Sequence, residues 1–147
     1  MNKFLYVSSM LVLTMAFALM SYFIVLNLMP ATYWFKYEKV EPSKEVFAEG
    51  EQLFFRSYAD FRRGGHVRWN DVLRCDTGHG FGFFSFYNSE ANMSPNGGVP
   101  ENPTPWPFRA STPVPPAECY LESNVTLDLP FGITKTQKII GPTFEIQ

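Results

Sequence analysis

Few residue types in this chain could do chemistry, and the two cysteines, Cys75 and Cys119, come first among them. In a domain carried out of the cytosol they would pair as a disulfide, whereas in a reducing compartment they would stay as buried thiols. Closing a loop of that length stabilises a small domain by about 4 kcal/mol on the chain-entropy argument. Cys75 with His66 and His79 could alternatively make a soft-metal cluster of the kind a copper or redox accessory protein uses. Their spacing fits no metal signature, so no metal and no cofactor are expected.

Catalytic patterns are equally sparse. His79 sits between Gly78 and Gly80 with only Asp76 at hand to orient it, and no serine or cysteine stands in a nucleophile elbow. Asp71, Asp76, Glu49 and Glu51 read as solvated turn residues rather than an acid-base pair. The glycines at 78, 80 and 82 follow no strand-to-helix unit, which argues against a phosphate cradle. The chain is expected not to be an enzyme. A formal net charge of -2 with no basic face excludes nucleic acid as a partner.

Surface recognition remains. Eight of the 12 prolines fall in residues 88–117, which are expected to form one long ordered loop, since neither a helix nor an interior strand can run through them. Trp106 and Phe108 stand among them as aromatic anchors. They are the candidate partner-binding residues, with Trp106 closing over the core as a lid the alternative.

The elements that must position these residues begin with 4–29, a run without Asp, Glu, Lys, Arg or His that is apolar on every helical face. About 20 apolar residues cross a hydrocarbon core of about 30 Å, so a transmembrane anchor over 1–30 is expected, in contact with lipid through 4–29. Tyr33, Trp34, Phe35 and Tyr37 would then mark the membrane interface. A signal peptide cleaved after Ala16-Phe17-Ala18 is the rival, but the run outlasts a normal signal core. Lys3 abuts the run on one side, while Lys36, Lys39 and Lys44 lie beyond it on the other. The expected orientation is N-terminus cytoplasmic, with the C-terminal domain periplasmic or extracellular.

Residues 31–147 suffice for one domain. Short alternating segments separated by Gly and Pro predict a mainly β fold, a small antiparallel β-sandwich of about seven strands. Within it, Val67 and Trp69 share a face of a strand that Asp71 is expected to interrupt. Cys119, Leu121, Val125 and Leu127 form the buried face of another, with Cys119 expected to meet Cys75 across two sheets. Segments 134–140 and 143–146 are expected to close the fold as a strand pair around Gly141-Pro142.

The apolar N-terminus, Glu49-Gly50-Glu51-Gln52-Leu53, Trp69, Cys75, the Pro-rich stretch and Pro115-Pro116-Ala117-Glu118-Cys119-Tyr120-Leu121 together resemble small single-pass membrane proteins encoded by bacterial phages. The resemblance implies an outer, disulfide-linked β-sandwich and transfers no catalytic residue. The function expected is a membrane-anchored binding or structural module that engages an envelope or viral protein. The alternative is an accessory subunit of a membrane complex, docking through helix positions Ala16, Ala18 and Ser21.

Overall fold

The computed structural model of the protein describes residues 2–147 except Thr77 and Ser111, with side chains from Tyr6 onward. The side chains of Lys3, Phe4 and Leu5, at the start of the expected span, lie outside the described residues. The chain divides into two compact units, Met1–Pro30 and Ala31–Gln147.

The first unit is a single helix, α1 (Asn2–Leu28), of which Tyr6–Leu28 is long and apolar enough to cross a membrane. Three of its polar side chains turn back on the helix itself. Ser9 Oγ donates to the Tyr6 carbonyl at 2.9 Å, Thr14 Oγ1 to that of Met10, and Asn27 Nδ2 to that of Phe23 at 2.9 Å. Groups satisfied in this way need no water, which is what a hydrocarbon environment demands. The helix runs unbroken through Ala16, Phe17 and Ala18.

The second unit opens with one helical turn, α2 (Ala31–Trp34), and continues mainly as strand. Its strands are β1 (Phe35–Pro42), β2 (Val46–Phe47), β3 (Leu53–Phe61), β4 (Gly65–Asp76), β5 (Phe81–Met93), β6 (Trp106–Phe108), β7 (Ala117–Asp128), β8 (Thr134–Ile140) and β9 (Phe144–Ile146). They form two sheets, ordered β1-β3-β6 and β2-β9-β7-β4-β5, with β8 also on β7. All pairings are antiparallel except β2 with β9. Nine strands among the described residues exceed the seven or so expected, because β2 and β6 are too short to show an alternation of their own.

Several expectations are corrected. Residues 88–117 are not one loop: β5 extends to Met93, and β6 forms in the middle of the Pro-rich stretch. Pro107 is tolerated because β6 pairs only with β3, leaving its other edge free of any ladder that would need the missing N–H. Asp71 does not interrupt β4, which runs twelve residues with Val67, Asp71, Leu73 and Cys75 all buried. Trp34, Phe35 and Tyr37 are not interfacial but belong to the core, at 3%, 0% and 1% exposure. Segments β8 and β9 do not pair with each other. Both lie along β7, at Glu122 to Asp128 and at Ala117 to Cys119, and the Gly141 N–H bonds the Leu121 carbonyl at 2.8 Å in the gap between them. Only glycine fits there, since a Cβ on Gly141 would come 2.8 Å from the Val40 carbonyl oxygen of β1.

The disulfide between Cys75 and Cys119 is present, but it lies within one sheet rather than across two. The two residues face each other directly on β4 and β7 with Cα atoms 4.0 Å apart. Such close approach belongs to the non-hydrogen-bonded pairs of an antiparallel ladder.

The sheets meet through aromatic contacts. Phe55 of β3 packs on Phe144 of β9 at 5.6 Å, Phe61 on Trp69 of β4 at 6.3 Å, and Tyr87 of β5 on Phe108 of β6 at 6.1 Å. Edge-to-face pairs of this kind contribute about 0.5–1.5 kcal/mol each beyond their area. A polar tie joins them: the Gln137 side chain on β8 accepts the Tyr37 N–H at 3.1 Å and donates to the Tyr37 carbonyl at 2.9 Å, beside the β1 bulge at Glu38. Because the disulfide closes a 44-residue separation, its double replacement by alanine should cost the folded domain about 4 kcal/mol. Urea unfolding of the two forms measures this; equal midpoints would show that the bond constrains nothing the ladder does not already hold.

Candidate functional site

Alternation along β4 and β5 sets the floor of a cleft. Trp69 and Asp71 share the inner face of β4, and the register pairs them with Ser89 and Tyr87 of β5, giving a block of four inward residues. Opposite them stand Ser57 of β3 and Trp106 and Pro107 of β6. The space between is about 260 Å³, just below the usual range of ligand sites, which run from about 300 Å³. Three of its seven lining residues are aromatic, with Tyr87 and Trp106 nearly parallel at 18° and 6.4 Å between centroids.

A chain of hydrogen bonds runs behind the rings. Trp106 Nε1 donates to Ser57 Oγ at 2.9 Å, Ser57 and the Tyr37 hydroxyl bond at 2.9 Å, Tyr37 donates to Ser123 Oγ at 3.3 Å, and Ser123 donates to Asp71 Oδ1. Since the Tyr37 hydroxyl has one proton and gives it to Ser123, Ser57 is the donor to Tyr37. Every donor therefore points the same way, toward the Asp71 carboxylate, and each bond polarises the next.

Asp71 is 2% exposed, and among the described residues no cation pairs with it. Burial pushes its carboxyl up from 3.8 to about 6, only partly offset by the Ser123 bond. Burial likewise pushes the Tyr37 phenol up to about 12, against the opposing bonds from Ser123 and Ser57. Glu122, next to Ser123 but on the other face of β7, is the contrast: Lys138 at 3.0 Å and Arg74 at 3.1 Å flank it and hold its carboxyl below the usual range.

The residues singled out by sequence are distributed as follows. Trp106 stands half-buried in the cleft wall and packs on Phe55 at 5.6 Å, whereas Phe108 is buried at 1% exposure against Phe55 and Tyr87 and is closed to a partner. Asp76 and Glu51 are turn residues: Asp76 Oδ1 accepts the N–H groups of Gly78 at 2.8 Å and Gly80 at 3.1 Å, and Glu51 Oε2 that of Ala48 at 2.9 Å. Cys75, His66 and His79 are not brought together. The Cys75 sulfur is bonded to Cys119, while His66 lies at the start of β4 near Asn92 and Glu90 and His79 lies beyond its far end. No group of three or more His, Cys, Asp or Glu able to hold a metal ion occurs among the described residues.

Sequence reasoning missed Asp71, Ser57, Tyr37 and Ser123. For Asp71 a signal existed, since it stands two residues from Trp69 and four from Val67, on the face already assigned to the core. No protein-family model matches this chain, and no curated protein matches it.

A carboxyl whose folded value is raised makes its full contribution to stability below about pH 4 and loses it as pH rises through about 6. The loss should amount to about 3 kcal/mol, the free-energy equivalent of a shift of about two units. In Asp71→Asn that pH dependence should vanish, and in Ser123→Ala its midpoint should move higher. Urea unfolding between about pH 4 and about pH 7 tests both, with identical profiles for the wild type and Asp71→Asn the contrary result.

Proposed function

We propose that this chain is a membrane-anchored binding module rather than an enzyme, a small β-sandwich whose cleft takes a ligand presented by another component of the envelope. One observation carries the reading: a cleft lined by Trp69, Tyr87 and Trp106 over an inward carboxylate, on a domain braced by a cross-strand disulfide. Aromatic faces left half-open around a few fixed polar groups are the usual composition of a ligand site. The apolar helix supports retention as an anchor. The disulfide supports an oxidising compartment, hence a cytoplasmic N-terminus and an outer domain in the periplasm or outside the cell. A phage origin, and a viral or envelope protein as the partner, rest on the resemblance of the sequence alone.

Orientation is tested with Glu101→Cys, an exposed position distant in sequence from both native cysteines. A membrane-impermeant maleimide should label it in intact cells, the native pair staying silent in their disulfide. Labelling that waits for lysis would place the domain inside.

Binding is tested with a photo-reactive residue at the exposed position of Pro107 on the cleft rim. An adduct formed in cells should disappear when Ser89→Trp fills the cleft. An adduct indifferent to that change would move the contact elsewhere, and no adduct at all would remove the cleft from the proposed function.

A further inference from the structure

Taking the cleft as the binding element of the module just described, we propose that the group it accepts is an alkylated ammonium, seated on Trp69, Tyr87 and Trp106 with the Asp71 carboxylate as its counter-charge.

A carboxylate at 2% exposure with one hydroxyl donor and no cation among the described residues is a costly arrangement. The same sheet shows the usual remedy at Glu122, where Lys138 and Arg74 supply the opposite charge. At Asp71 no side chain among the described residues does so, yet the residue lines an accessible cleft. A cation arriving from outside would fill that role.

The walls narrow the choice of cation. Trp is the strongest aromatic partner for a positive charge, and two Trp with one Tyr around a carboxylate favour a weakly hydrated ammonium over a metal ion, which needs several oxygen ligands. A sugar is disfavoured because few donors are left to hold it. The Trp106 N–H is bonded to Ser57 Oγ and Ser57 to Tyr37, leaving, among the lining groups, the rings, one acid and the hydroxyls of Ser89 and Tyr87. The volume of about 260 Å³ suits a headgroup rather than a larger molecule.

The probe is choline, and its control is 3,3-dimethylbutanol, in which an uncharged carbon replaces the quaternary nitrogen. Full-length protein in a neutral maltoside micelle is titrated with each by calorimetry. Choline should bind saturably and the carbon isostere should not. Asp71→Asn should weaken choline by about tenfold or more, as loss of a buried charge partner does. Trp106→Ala, on the exposed side of the cleft, provides a second weakened variant if Asp71→Asn alters the fold. Adding short-chain phosphatidylcholine separates the sources of the group: competition identifies a lipid headgroup as an acceptable ligand, and its absence restricts the site to the free cation.

Equal binding of choline and the isostere, unaffected by Asp71→Asn, would overturn the cationic assignment and leave an apolar binding module. No heat from either would overturn it also, while the Pro107 adduct decides the module reading independently.

Discussion

The register of β4 against β7 is the constraint on which the rest of the outer domain depends. Ten residue pairs run without a shift from His66 opposite Asp128 to Cys75 opposite Cys119. In that register Asp71 faces Ser123, so the covalent bond and the bond that steadies the buried acid are set by one alignment. A slip of β4 by one residue would turn Val67 and Leu73 away from the core and separate both pairs. The disulfide forbids the slip at one end, and core burial forbids it along the length.

On that frame the second sheet is laid by complementary contacts rather than by chain continuity. Phe55 reaches Phe144, Gln137 bonds both backbone groups of Tyr37, and the Val40 carbonyl packs where only Gly141 leaves room. Tyr37 is the joint between the layers. Its ring is fully buried, and its hydroxyl joins Ser57 of its own sheet to Ser123 of the other. The consequence is that Trp106, on a three-residue strand far along the sequence, is wired to Asp71 through three intervening side chains.

The same geometry leaves the domain with an unfavourable charge. An acid whose carboxyl is pushed up to about 6 by burial weakens the fold near neutral pH, and an apolar residue there would be the simpler choice for stability alone. Natural domains carry such local costs chiefly where a site needs them, and here the costly group lines the cleft.

Sequence alone determined what depends on composition and short-range pattern. The apolar helix, the β character of residues 31–147, the buried face of β7 and the paired cysteines all follow from periodicity, from the lack of charge in 4–29 and from an even thiol count. Trp106 was also legible as a residue with something to contact. Tertiary structure alone decided the partners. Whether Cys119 meets Cys75 within a sheet or across two depends on strand order, which alternation does not encode. Phe108 and Trp106, two residues apart, take different fates because β6 docks on β3 with one ring toward the core and the other toward the cleft. Asp71 looked like a breaker because a lone acid is seldom buried. Its site exists only once Ser57, Tyr37 and Ser123, from three separate strands, are folded around it.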